Sequence, residues 1–447
     1  MIQLHRMMRR FAKGTRASIP VMTALLMIPM TLAAGGAVDF VAHEKIRVAL
    51  QDALDRGVLA AASLTQTEDP KALITSYLKS VPGSARAVLT ISEERRTNFR
   101  KISASVSIPY ETTFLRLAKL QALNVAANAT AQEARQNIEM SMVLDISGSM
   151  LDNGGIYQLR PAAKSFLDIV LKEEVRPVTS VSIVPFAGTV NLRKGVFDLF
   201  AGPAYLRKHG YSSCFEMLDA DFSPGTPAFA LRDQVPHFTY YNYNVAGKQP
   251  WWCPTDDAAI TYPTNDLTYL KAQIEALRPF DGTGTAYGMK WAELLLNPSM
   301  RESMKTIGDK NLAPIPSAFR SRPAAFDDKD TLKFIVLMTD GQIGFQPRTN
   351  VGTYVLTDRN AKDSGYHRVP DLYSDTQAIA FYKRVCTYAK KEGIVIFTIA
   401  FKVTPEIAAN IATCASDPSY AYKVDGLDMG SAFQSIATTM QKIRLVN

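Results

Sequence analysis

The hydrophobic pattern opens with a run that does not alternate. Residues 17–38, ASIPVMTALLMIPMTLAAGGAV, carry no charge. At about 1.5 Å per residue such a run is long enough for the roughly 30 Å hydrocarbon core of a bilayer. Pro20 and Pro29 lie inside it, which membrane helices tolerate. From residue 39 the period changes. Ile46, Leu50, Leu54, Val58 and Ala61 recur every three to four positions, so an amphipathic helix is expected over 39–69, continuing the membrane helix and broken at Pro70. Residues 70–137 are mixed. LITSYLKS and FLRLAKLQAL have helical spacing, RAVLTI and KISASVSIPY have strand spacing, and NVAANATAQ is extended, which together predict a small α+β module.

From Ile138 strand and helix alternate. MSMVLDI, TSVSIVPFAG, LKFIVLMTDG and IVIFTIAF are apolar without polar alternation, as expected of strands buried on both faces. Helical patterns separate them: YQLRPAAKSFLDIVLK, LKAQIEAL, YGMKWAELLL, TQAIAFYKRVCTYAKKEG and a closing GSAFQSIATTMQKI, with SYAYKVD as a last strand. This order predicts an α/β fold with a doubly wound, mostly parallel sheet over 138–447. Ligands of such sheets bind beyond the C-terminal ends of the strands. Asp145 and Asp340 both stand at such ends.

Charge and cysteine content narrow the setting. The formal charge is +8, but Arg6, Arg9, Arg10, Lys13 and Arg16 supply most of it, and the remainder is close to balanced. A basic tail of this kind argues against a nucleic-acid-binding face. Basic residues before the apolar run and Asp39 after it place the N-terminus in the cytoplasm and the bulk of the chain outside the inner membrane, in the periplasm or exported. The organisation expected is a cytoplasmic tail (1–16), a single-pass transmembrane anchor (17–38), the amphipathic helix (39–69), the α+β module (70–137) and the α/β domain (138–447). The small residues Ala33, Ala34, Gly35, Gly36 and Ala37 leave a cleaved signal sequence open. The four cysteines lack metal-type C-x-x-C spacing. They fall into two local groups, Cys214 with Cys253 and Cys386 with Cys414. In an exported chain two disulfides are expected, against four buried free thiols.

The candidate chemistry centres on DISGS, which places Asp145, Ser147 and Ser149 on alternate residues of one turn. A serine nucleophile elbow needs G-x-S-x-G, and no histidine stands in an evident triad loop. The glycine-rich GTGTAYGMK lacks the spacing and the Lys-Ser/Thr pair of a phosphate loop. A helix N-cap would explain one of the three oxygens. Hard divalent cations want hydroxyl and carboxylate oxygens, and two further loops offer them: Thr283 in Asp281-Gly282-Thr283-Gly284-Thr285, and Asp340 after a buried strand.

Taken in order, D-x-S-x-S, a threonine in a G-T-x-T loop and a strand-end aspartate resemble the metal-ion-dependent adhesion site of von Willebrand factor type A domains, over roughly 138–444. The resemblance implies a type A, Rossmann-like fold. It implies that Asp145, Ser147, Ser149, Thr283 and Asp340 hold Mg2+, with Mn2+ or Ca2+ as substitutes. It further implies that an acidic residue of a protein ligand completes the metal shell, a docking function and not an enzymatic one.

The segment RRFAKGTRASIPVMTALLMIPMTLAAGGAVDFVAHEKIRVALQDALDRGVLAAA resembles the N-terminal region of TadG-like Flp pilus-assembly proteins. The shared features are the basic tail, Gly14, the small-residue exit at Val38-Asp39 and the alanine-rich helix. Pilins carry Glu five residues after the processing glycine; here Ile19 stands there, so prepilin-peptidase cleavage is not expected. CTYAKKEGIVIFTIAF and CASDPSYAYKV resemble the end of the same family, which supports pairing Cys386 with Cys414. Together the resemblances imply an envelope-exposed component of a Tad/Flp pilus assembly or tight-adherence system, with other pilus-assembly or envelope proteins as partners. The alternative is a surface-directed adhesin or envelope scaffold using the same site. An insertion at 191–264 departs from a minimal type A domain. Its Phe238, Tyr240, Tyr241, Tyr243, Trp251 and Trp252 fit either a disulfide-stapled mini-core or a recognition surface.

Overall fold

The structure, a computed structural model, describes residues 18–446 except 97, 351, 366–368 and 427. The basic tail and Gly14 lie outside the described residues. The chain divides into two compact units, Met1–Arg135 and Gln136–Asn447.

In the first unit, α1 (Ser18–Ala61) is one helix of 44 residues with Pro29 inside it. Its two halves have different surroundings. Met22, Leu25, Leu26, Met27, Ile28 and Met30 are exposed, whereas Leu50, Ala53, Leu54, Val58 and Ala61 are buried. The buried stripe packs on a three-stranded antiparallel sheet, order β1-β2-β3, formed by β1 (Val88–Arg96), β2 (Phe99–Glu111) and β3 (Ala122–Ala134). The alternating positions Ile102, Ala104, Val106 and Ile108 of β2 supply the sheet's side of this core. Between α1 and β1 lies α2 (Pro70–Leu78), capped by Asp69, whose carboxylate accepts from the Ala72 amide at 2.9 Å. FLRLAKLQAL does not form the helix its spacing predicts. It holds a single 3-10 turn, Leu115–Ala118, and then enters β3. The antiparallel register, Glu111 opposite Ala122, leaves only a short tip for the chain to reverse.

The second unit contains, in order, β4 (Asn137–Asp145), the one-turn α3 (Ser149–Asp152), α4 (Gly155–Val170), β5 (Thr179–Phe186), α5 (Lys194–Ala201), β6 (His237–Thr239) and β7 (Thr261–Thr264). There follow α6 (Leu267–Ala276), α7 (Thr285–Leu294), α8 (Arg301–Asp309), β8 (Thr331–Thr339), β9 (Val355–Asn360), α9 (Asp375–Lys391), β10 (Val395–Phe401), α10 (Pro405–Ala412), β11 (Ala421–Val424) and α11 (Met429–Val446). This is a mixed α/β unit. Six strands form one sheet, order β11-β10-β8-β4-β5-β7, parallel throughout except where β7 joins β5 antiparallel. The lack of polar alternation in β4 has a direct cause. Met140, Met142 and Leu144 pack with α4, α6 and α11, while Val143 belongs to a second core with α5, α7 and α9. One buried ion pair interrupts the apolar sheet: Lys333 Nζ donates to Glu139 Oε2 at 2.5 Å.

Both cysteine groups are disulfides, Cys214–Cys253 and Cys386–Cys414. Around the first, Phe238, Tyr240 and Trp252 are buried with Leu356 and Ala361 in a small separate core, and β6 pairs with β9 beside it. Tyr241 stays partly exposed.

Candidate metal centre

β4 and β8 are adjacent parallel strands with Leu144 opposite Met338, so they end side by side. Asp145 closes one and Asp340 follows the other. Asp145 Oδ1 accepts from the Ser147 amide at 2.7 Å, and its Oδ2 accepts from the Thr339 hydroxyl at 2.5 Å. The Ser147 and Ser149 hydroxyls are 2.9 Å apart, and Ser149 Oγ donates to Asp340 Oδ1 at 2.7 Å. Asn153 Nδ2 donates to Asp340 Oδ2 at 3.1 Å. The serines therefore do not cap α3, whose N-cap is Gly148 with no side-chain bond. They link the two carboxylates.

Thr283 comes to the same place from a third loop. Phe280 bridges to Ser147, with its amide on Ile146 O at 2.7 Å, and the Gly284 amide donates to Ala187 O at 2.5 Å. Gly341 marks the convergence. A Cβ built there would lie 3.3 Å from Thr283 Oγ1 and 3.5 Å from Asp145 Oδ2, and 2.7 Å from the Thr283 methyl. All five oxygen-bearing residues singled out in the sequence thus gather around one point. No motif marks Thr339 and Asn153 as the residues that orient the two carboxylates, although Thr339 adjoins Asp340.

The electrostatics are unbalanced. Burial and the neighbouring Asp340 carboxylate push the Asp145 pKa up to about 7, against the bonds from Ser147 and Thr339. Burial likewise raises Asp340, against Ser149 and Asn153. Among the described residues, neither carboxylate has a lysine or arginine partner. Two atoms flanking Thr283, Asp281 Oδ1 and Thr285 Oγ1, are buried without a hydrogen-bond partner. The donors are all hard oxygens, and the uncompensated negative charge suits a divalent cation. Among the described residues no group of three or more His, Cys, Asp or Glu side chains is placed to hold a metal ion. This centre instead combines two carboxylates with hydroxyls.

The insertion borders the centre. Asp281 Oδ2 accepts from the amides of Tyr240 and Tyr241 at 2.5 and 2.8 Å, and the Gln249 amide donates to Pro279 O at 2.8 Å. Burial raises the Asp281 carboxyl, with these amides opposing. A cleft of about 390 Å³ results, lined by Ser149, Thr283 and Gln342 and, from the insertion, Tyr241, Asn242, Lys248 and Trp252. Lys248 Nζ pairs with Asp152 Oδ2 at 2.6 Å. The aromatic cluster of the insertion marks Tyr241 and Trp252; no local sequence signal marks Asn242 and Lys248, because their position depends on long-range backbone bonds.

No protein-family model matches the chain, and no curated protein does. Solved structures do. The von Willebrand factor domain of the type V pili tip protein Mfa5 from Porphyromonas gingivalis is 14% identical, over 69% of this chain and 96% of that one, with a TM-score of 0.38. The pilus adhesin SpaC from Lactobacillus rhamnosus GG is 11% identical over 79% of this chain, TM-score 0.36, and the match spans 34% of SpaC. The PilB minor pilin from Streptococcus sanguinis is 14% identical, over 79% of this chain and 78% of that one, with a TM-score of 0.33.

Proposed function

We propose that this chain is a membrane-anchored envelope protein that captures an acidic protein partner through a divalent cation, as a component of a Tad/Flp pilus assembly or tight-adherence system. The second unit is then a doubly wound type A domain. The observation that carries the reading is the pair of buried carboxylates, Asp145 and Asp340, bridged by serine hydroxyls and, among the described residues, without a cationic side-chain partner. Asp145, Ser147, Ser149, Thr283 and Asp340 would hold Mg2+, or Mn2+ or Ca2+ in its place. The ion, when bound, supplies an open coordination position for a ligand carboxylate.

The protein's own groups set the rest. Thr339 and Asn153 fix the carboxylate orientations. The polar cleft beside them admits a side chain from outside, with Asn242, Gln342 and the Lys248 ammonium at hand. The single apolar span of α1 supports anchoring in the inner membrane with the N-terminus cytoplasmic, and the two disulfides suit a periplasmic or exported location for the bulk of the chain. The role is docking, with no nucleophile assigned.

Affinity capture from solubilised membranes tests this. The intact chain, loaded in Mg2+, should release its partner on chelation, and Asp145→Ala and Asp340→Ala should capture none while remaining folded. Partner retained equally by both variants in the presence of EDTA would overturn the proposal.

A further inference from the structure

The first unit ties one loop to the end of the apolar span. Asp39, the first charge after residues 17–38, is buried at 1% exposure. Its carboxylate accepts from the amides of Thr113, Phe114 and Leu115 at 2.9, 2.8 and 2.8 Å and from the Tyr110 hydroxyl at 3.3 Å. One turn earlier on α1, Phe114 lies against Gly35 so closely that a Cβ there would come within 2.4 Å of its ring. Leu115 lies against Gly36 in the same way, at 3.1 Å. The β2–β3 tip, residues 113–120, is therefore fastened level with the last turn of the apolar span.

Beyond these contacts the tip turns apolar groups outward. Leu117 is 73% exposed and Leu120 51%, and Arg116 and Lys119, each preceding one of them, are exposed as well. Isolated exposed leucines are common on protein surfaces. These two sit where an apolar helix leaves its solvent. The tip's backbone is also closed on itself. The Leu117 amide donates to Phe114 O at 3.0 Å, Lys119 to Arg116 O at 3.0 Å, Leu120 to Leu115 O at 3.1 Å and Thr112 to Gln121 O at 3.1 Å. A segment entering a low-dielectric layer must satisfy its amides internally. Leucines that insert, flanked by basic residues that reach phosphate headgroups, are the composition of an interfacial element.

We infer that residues 113–120 dip into the headgroup–acyl boundary of the membrane that α1 crosses, Leu117 and Leu120 contacting acyl chains and Arg116 and Lys119 anionic headgroups. The inference rests on the reading of α1 as an anchor. It gives Asp39, Gly35 and Gly36 a common purpose: they fix the tip's depth.

The test uses the full chain in nanodiscs of phosphatidylcholine and phosphatidylglycerol. The native cysteines are paired, so Leu117→Cys, Leu120→Cys, Met27→Cys and Glu94→Cys each accept a single nitrobenzoxadiazole label. Labels at 117 and 120 should lose iodide quenching and be quenched by lipids spin-labelled near the headgroup, while the label at 94, at the far end of β1, stays open to iodide. Iodide quenching at 117 and 120 equal to that at 94 would overturn the inference. Protection from iodide without lipid quenching would also overturn it, showing that a second copy covers the tip. The label at 27 separates the two readings. If deep spin-labelled lipids quench it and the tip labels stay in water, only the interfacial contact fails; if they do not, the anchor fails first.

Discussion

Replacing Asp145 by Asn removes one charge and little volume. Asn Oδ1 can still accept the Ser147 amide, and its Nδ2 can donate to Thr339 Oγ, reversing that bond. In the metal-free protein the Asp145 pKa is raised from 3.8 to about 7. A folded-state pKa above the unfolded value means stability fully present below about pH 4 and lost as the pH rises to about 7. The shift of about three units corresponds to ~4 kcal/mol, shared in part with Asp340. In chelator at about pH 8, Asp145→Asn should therefore be more stable than the parent by up to ~4 kcal/mol, or ~8 °C for a unit of this size. At about pH 5 the difference should shrink. Mg2+ should narrow the gap from the parent's side. At a hundred times its Kd it would stabilise the parent by ~2.7 kcal/mol and leave the variant unmoved. Tryptophan fluorescence reads this selectively, since Trp251, Trp252 and Trp291 all belong to the second unit. A variant that melts below the parent in chelator at about pH 8, or that keeps the Mg2+ shift, would refute the reasoning.

Three further changes probe the frame of the site. Lys333→Met removes the 2.5 Å partner of buried Glu139 and leaves it only Arg322, at 3.9 Å; it should cost ~3 kcal/mol in urea unfolding at neutral pH, because breaking a buried pair leaves a buried charge poorly compensated. Cys386→Ser with Cys414→Ser opens a loop of sequence separation 28 and should lower stability by about 3 kcal/mol; an unchanged urea midpoint would show that the bridge adds nothing. Gly284→Ala would set a Cβ 2.1 Å from Gly188 O. It should displace the Thr283 loop and abolish the Mg2+-dependent melting shift, read by the same fluorescence.

β4, β5, β8 and β10 were legible because each is buried on both faces, so MSMVLDI and LKFIVLMTDG admit no helical or amphipathic reading. The oxygen cluster was legible because its members lie at strand ends, where parallel topology must bring them together. The rest depends on contacts distant in sequence. β7 is short and antiparallel, and β6 finds β9 across more than a hundred residues of chain, so neither leaves a local period. The approach of Lys248 and Asn242 to Ser149 rests on backbone bonds such as Gln249 to Pro279. FLRLAKLQAL misled because helical spacing of leucines looks the same whether they share a core or, as here, divide between Gly36, which Leu115 meets, and open surface, where Leu117 and Leu120 lie.

Because α1 has no break between the span and the stripe on the sheet, it acts as a ruler. Each residue inserted between Met22 and Ala34 would raise the Gly35 level, and the tip fastened to it, by about 1.5 Å relative to the helix's N-terminal end, and turn it by about 100°. Two insertions would move Leu117 by about 3 Å, a sizeable part of the 5–10 Å depth of an interfacial layer. The length of the apolar run is thus a dimension of the folded unit as well as a condition for crossing a membrane. Natural variation in that length should be confined to whatever bilayer thickness the tip must meet.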